Sequence, residues 1–250
     1  MAAHRWSWTP KWSWTPKWSW TPKWSWTMWS LTVAVTGCAT TTAGTASPAA
    51  PAPEVTVQNL ANLLLAAADV GAAMSAPDMV VTRQVDALWD DSAGIAGGPG
   101  CLAVAGAAQR GVYADADWTA VHGQVLREPP TSPSWAHFAT QAVVLFDSAT
   151  AAADFFARSR QIWAGCSDRD LTYAPQLAPA EQIWSIGPVS VLNDVLTVSR
   201  QQRSPQQWSC QRALTVQGHV AVDVEACALD GPTSAAAAIA RGIAERIGPA

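Results

Sequence analysis

Leu60, Leu63, Leu64 and Ala67 recur at i, i+3, i+4 and i+7, which places four apolar side chains on one face of a helix. Asp69 and Gly71 interrupt that pattern and predict its end. Residues 79–84 read as a strand leading into a loop that holds Asp90, Asp91 and the cluster Gly97-Gly98-Pro99-Gly100. Residues 121–128 and 137–146 read as strands, the second with a short buried run from Ala142 to Phe146. A helix is predicted over 149–164, with Gly165 as a left-handed cap directly before Cys166. Strands follow at 181–186, 189–191, 194–201 and within 210–227. Thr233 or Ser234 caps a final helix, in which Ile239, Ile243 and Ile247 form one stripe and Arg241 and Glu245 are spaced to pair. A helix, a run of strands with one inserted helix, and a closing helix make an α+β domain.

One segment fixes its own register. If 210–227 is a hairpin with Gly218-His219 as a two-residue loop, glycine first as a type II′ turn prefers, every facing pair sums to 437. Cys210 then faces Cys227, Arg212 faces Glu225, and Val220, Val222 and Val224 share one face. Three independent features agree on this register, and Cys101–Cys166 is the second disulfide by elimination. On the chain-entropy model the shorter loop contributes about 3 kcal/mol and the longer one somewhat more. Zinc fits poorly, because the cysteines have neither Cys-x-x-Cys nor Cys/His spacing.

The fifth cysteine belongs to a different part of the chain. Cys38 follows Val35-Thr36-Gly37 at the end of a short apolar run, the form of a bacterial lipobox whose cysteine is lipidated after signal cleavage. An even count of four cysteines beyond it suits an exported, oxidised domain. Upstream, Trp-Ser-Trp-Thr-Pro-Lys repeats at 6–11, 12–17 and 18–23, so that nine of fifteen tryptophans fall in the first 29 residues. Two readings fit: a Trp/Lys segment at an anionic membrane interface, or translation of a tandem repeat ahead of the true start. The chain therefore divides into 1–37, repeat and signal; 38–56, a lipidated cysteine and flexible Ala/Pro/Thr tether; and 57–250, the folded domain.

Charge follows the same division. Residues 1–37 hold all three lysines and Arg5 and no acid, for +4, whereas eleven arginines face nineteen acidic residues from Cys38 onward, for −8. An acidic exported domain without a basic run lacks the footprint of a nucleic-acid binder. No apolar run reaches the roughly 18 residues of a membrane span, so the expected membrane link is lipid.

No catalytic constellation is legible. The sequence contains no Gly-x-Ser-x-Gly, His-Glu-x-x-His, P-loop or dinucleotide fingerprint, and no cofactor is implied. His122, His137 and His219 read as structural or turn residues, and Asp115 and Asp117 as a solvated turn. Six tryptophans in the domain are many. Trp163 is expected beside the longer disulfide and Trp184 in the core. Trp89 and Trp135, the latter in the Pro-rich 129–135 loop, are the candidates for the wall of a ligand cleft, with Asp90 and Asp91 beside Trp89 as further candidate ligand-binding residues.

The ordered set Pro99-Gly100-Cys101, Val112-Tyr113, Trp118, Gln141-Ala142-Val143, Trp163-Ala164-Gly165-Cys166, Ile183-Trp184, Cys210-Gln211-Arg212-Ala213-Leu214 and Val222–Cys227 resembles the PknH-like extracellular sensor domain over roughly 57–248. That domain forms the outer part of a mycobacterial transmembrane Ser/Thr kinase and also occurs alone in lipoproteins. The resemblance implies a twisted, mostly antiparallel sheet flanked by helices, two disulfides paired in sequence order, and a cleft for an unidentified ligand. Kinase activity is not carried over, because the sequence given holds no kinase domain. The expected protein is a lipoprotein on the outer face of the cell membrane whose domain binds a small molecule, an envelope lipid or glycan, or an envelope protein. The alternative is an envelope hydrolase with an unrecognised active site.

Overall fold

The computed structural model describes residues 54–91, 95, 96, 99–129, 131, 135–173, 181–205, 207–229, 231 and 233–248. Cys38, the tryptophan repeat, the tether as far as residue 53, Ser92 and Gly97-Gly98 lie outside them. The strands are β1 (Val80–Val85), β2 (Ile95–Ala96), β3 (Trp118–Arg127), β4 (His137–Phe146), β5 (Asp170–Tyr173), β6 (Gln182–Leu192), β7 (Val195–Gln202), β8 (Trp208–Gln217) and β9 (Val220–Leu229). They form one antiparallel sheet in the order β1-β3-β4-β9-β8-β7-β6-β5-β2. The helices are α1 (Ala67–Met74), α2 (Leu102–Ala105), α3 (Arg110–Tyr113), α4 (Ala149–Gly165) and α5 (Ala235–Ile247), with a 3-10 helix over Val57–Leu63.

The hairpin has the register its spacing dictates. Cys210 faces Cys227, Arg212 faces Glu225 and Gln217 faces Val220. Gly218 has φ 58° at the first loop position, where a side chain is disfavoured. Both disulfides, Cys101–Cys166 and Cys210–Cys227, are present.

The central strands are buried on both faces, so their sequences read as apolar runs rather than alternations. One face carries Ala139, Val143, Val220, Val222, Val224 and Ala226, covered by the 3-10 helix, α1 and α5 through Leu60, Val70, Ile239 and Ile243. The opposite face carries Ala142, Val144, Phe146, Cys210, Leu214 and Cys227, covered at one end by α2, α3 and α4 through Val104, Tyr113, Phe155 and Trp163. Among the described residues the other end of that face is open.

Several sequence expectations are corrected. The predicted 60–67 helix is two pieces, the 3-10 helix and α1, and Asp69 and Gly71 lie inside α1 rather than ending anything. The break is tertiary. The buried Gln141 amide accepts from Leu65 N–H at 3.1 Å and donates to Leu65 C=O at 2.8 Å, taking both polar groups a continuous helix needs. Gly165 is the last residue of α4 and not a left-handed cap; the end falls at Cys166 (φ −104°, ψ 0°), and the left-handed residue is Asp168. Strands 181–186 and 189–191 are one strand, with a bulge between Ile186 and Val189 absorbing Gly187 and Pro188, which has no N–H to donate. The closing helix is bridged by Arg246 to Asp69 of α1, while Arg241 and Glu245 form no ion pair, as exposed groups that water solvates equally well.

Candidate ligand-binding cleft

The open end of the second face is a cleft made of two adjoining cavities of about 450 and 800 Å³, which share Trp135, Phe138, Gln182, Trp184 and Arg200. Thr140 of β4, Glu225 of β9 and Arg200 of β7 lie on its floor, and Trp89 and the 105–109 segment on its rim.

Two buried ion pairs sit on this face. Arg212, 1% exposed, donates to Asp223 Oδ1 at 2.6 Å, to Val224 C=O at 3.0 Å and to Ala103 C=O at 3.0 Å, with its guanidinium 5.3 Å from the centre of the Trp163 ring. Asp223 Oδ2 accepts from Ala108 N–H at 2.8 Å and from the Tyr113 hydroxyl at 3.0 Å. One carboxylate therefore ties β9 to the loop between α2 and α3. Ala108, at φ 48°, is held in a conformation a β-carbon disfavours, and the bond its N–H donates to Asp223 helps to hold it there. In the second pair, Arg200 reaches across β8 to Glu225 and lies over the Trp184 ring at 4.4 Å. Arg212 faces Glu225 in register yet bonds Asp223, so the expected Arg212–Glu225 ion pair is replaced by these two. Glu225 lies close to Cys210 and Cys227, but the disulfide leaves no thiolate there for a metal.

The rim is built by hydrogen bonding as well. Trp89 N–H donates to Ala108 C=O at 3.0 Å, Arg110 N–H donates to Trp89 C=O at 2.7 Å, and the Trp89 ring packs against Gly123 of β3. A β-carbon on Gly123 falls 2.4 Å from the indole, so only glycine admits the ring. Gly123→Ala is therefore expected to push Trp89 off the sheet and lower stability by about 1–3 kcal/mol, the usual cost of overpacking; a denaturant titration measures it. Asp91 N–H donates to Gln109 Oε1 at 2.9 Å, and Gln109 Nε2 donates to Asp91 Oδ2 at 2.7 Å.

Opposite, Trp135 projects with 43% of its surface exposed, 5.1 Å from the Trp208 ring and with the Arg127 guanidinium 5.6 Å from its own. Its base is fixed by Glu128, which accepts from Ala136 N–H at 3.3 Å and His137 N–H at 3.1 Å and contacts the His137 ring at 2.6 Å. Burial pushes the Glu128 carboxyl up, but the bonds from His137 and Ala136 outweigh it and leave it below its ordinary value.

Burial, and then the Asp223 charge, push the Tyr113 hydroxyl well above its ordinary 10.0. Folding thus holds that proton. Its contribution is complete below about pH 10 and is lost as pH rises further. Tyr113 phenolate absorbance should accordingly appear only as the protein unfolds, and Tyr113→Phe should make the alkaline loss shallower.

Of the sequence candidates, Trp89, Asp91 and Trp135 line the cleft together, and Asp90 is not among its lining residues. Trp184 is buried at 8% exposure as expected and also forms cleft wall. Trp208, Tyr173, Arg83, Arg127, Arg200, Glu225 and Gln109 are not legible as cleft residues in the sequence, because they come from strands and loops distant from one another, and Phe138, close to Trp135, reads only as part of a strand. The described histidines are not among the cleft's lining residues: His122 contacts Asp86 at 2.6 Å, and His219 contacts Val55 C=O at 3.3 Å.

Residues 55–246 match the model of the PknH-like extracellular domain family. The chain is 30% identical over 180 residues to serine/threonine-protein kinase PknH of Mycobacterium bovis, an alignment covering 72% of this chain and 29% of the kinase. The kinase of the same name from Mycobacterium tuberculosis H37Rv gives 30% over 180 residues, covering 72% and 28%. The chain thus spans under a third of the length of these relatives. The crystal structure of the extracellular domain of PknH from Mycobacterium tuberculosis superposes with a TM-score of 0.71 at 28% identity, covering 78% of this chain and 98% of that one.

Proposed function

We propose that this chain, which belongs to the PknH-like extracellular domain family, binds a ligand in the cleft and serves as a non-catalytic, sensor-like module. The observation that carries this reading is the cleft itself: aromatic walls from Trp89, Trp135 and Trp184 around a floor whose charged groups are already paired. An aromatic wall with a few fixed polar groups suits reversible binding. Against hydrolysis, Glu225 is engaged by Arg200 and Asp91 by Gln109, and no described histidine lines the two cavities. For the membrane link, the proposal puts a lipid on Cys38, on the strength of the Val35-Thr36-Gly37 run and the tether that follows.

A thermal-shift screen of envelope lipid and glycan fractions tests the binding. A ligand specific to the folded state, at a hundred times its dissociation constant, raises stability by about 2.7 kcal/mol. Trp135→Ala should weaken that shift while hardly moving the unliganded melting point. Turnover of an envelope substrate, abolished by one polar substitution, would overturn the non-catalytic reading in favour of a hydrolase. Unchanged detergent partitioning of Cys38→Ala would remove the lipid anchor.

A further inference from the structure

From the charges in the cleft we infer that its ligand is an amphipathic organic anion, with the acid group held by Arg83 and Arg127 and the apolar body laid along Trp135, Phe138 and Trp208. This rests on the cleft-binding reading and specifies the chemistry that fills it. Arg83 of β1 is the register partner of Val125 of β3, and Arg127 lies two residues further along β3, so both arginines project from the same side of the sheet. Both line the 450 Å³ cavity. Among the described residues neither forms an ion pair, whereas Arg200 in the same cavity is matched by Glu225. Asp91 is the remaining lining carboxylate; Gln109 hydrogen-bonds its Oδ2 but, being neutral, does not cancel its charge, so the lining arginines outnumber the lining carboxylates by one. A domain that is strongly acidic as a whole thus keeps a net positive cavity, in which, among the described residues, Arg83 and Arg127 are outside any ion pair.

Geometry narrows the class further. The Arg127 guanidinium carbon is 5.6 Å from the centre of the Trp135 ring, and among the described residues no ion pair engages its N–H groups, which suit the two oxygens of a carboxylate or phosphate. From Trp135 the second cavity continues past Phe138 to Trp208 and is edged by the Cys210–Cys227 disulfide. Its polar lining residues are the uncharged Gln182, Gln202 and Ser204 and the already paired Arg200, so its body offers aromatic surface and no second charge. A neutral ligand covering Arg83 and Arg127 leaves two desolvated cations uncompensated, and a cation is repelled.

Calorimetric titration of the full chain with decyl phosphate, decanol and decylamine, each below its aggregation concentration, tests the assignment. Decyl phosphate should bind once per chain, at least about tenfold tighter than decanol, with decylamine weaker still. Arg83→Gln with Arg127→Gln should weaken decyl phosphate about tenfold or more and leave the melting temperature unchanged. Added salt should weaken the parent and not the double variant. Naphthoate in place of decyl phosphate separates a soluble aromatic acid from a lipid, and selective binding of either one supports the anion. Equal binding of decanol and decyl phosphate, with both weakened by Trp135→Ala, removes the anion and leaves the cleft standing. Decyl phosphate binding untouched by both the arginine pair and Trp135→Ala overturns the cleft reading as well.

Discussion

Arg212→Met should cost the domain about 3–5 kcal/mol, because it leaves Asp223 as an uncompensated charge in the interior. Arg212 is 1% exposed and Asp223 2%, so water cannot take the place of the lost partner. The carbonyls of Ala103 and Val224 lose their guanidinium donors in the same step. The damage reaches the cleft through a short chain of bonds, since Asp223 holds Ala108 N–H and Ala108 C=O holds Trp89 N–H. Urea denaturation measures the loss. The double variant Arg212→Met with Asp223→Asn should be more stable than Arg212→Met alone, because the amide removes the charge and its oxygen still accepts from Tyr113 and Ala108. A fall below about 1 kcal/mol for the single variant would show that Asp223 finds another cation or a proton at little cost.

Replacing both Cys101 and Cys166 with Ser should cost about 4 kcal/mol, the chain-entropy value for the 65 residues that separate them. The hairpin disulfide, closing 17 residues, should cost about 3 kcal/mol by the same measure. Their consequences differ more than their magnitudes. Cys101 ties the start of α2 to the end of α4, and thereby one end of the segment that runs on from Trp89. Freed from it, the rim should loosen before the sheet does, so ligand affinity should fall under conditions where the circular dichroism of the sheet is intact. The hairpin disulfide joins two strands already paired along their length, and its removal should lower the melting point with a smaller effect on binding. Equal loss of affinity from both variants would show that the rim does not depend on the Cys101 link.

How much of this was legible in the sequence depends on how local the cause is. Strand β4 runs over the predicted 137–146, and the β8–β9 hairpin keeps the predicted register, because alternation, a two-residue turn and facing cysteines are all properties of neighbouring residues. The Ile239 and Ile243 stripe is buried for the same reason. The cleft was legible only in fragments. Trp89 and Trp135 stand out in the sequence from their polar and Pro-rich surroundings, yet Trp208 beside Trp135 comes from β8, brought near β4 by the sheet order, which no local pattern encodes.

The sequence by itself determined the α+β class, both disulfides and the hairpin register, since each follows from spacing within a segment or from the parity of the cysteines. Tertiary structure alone decided where polar groups find partners. Gln141 splits the 57–74 stretch by claiming the Leu65 peptide from 76 residues away. Arg212 abandons the partner it faces for Asp223, because Arg200, reaching over β8, has taken Glu225. Gly123 matters only because the Trp89 ring comes to rest on it. In the first two cases a buried polar group must be satisfied by whatever the fold brings near, in the third a ring must find space, and proximity in the fold is not written in sequence distance.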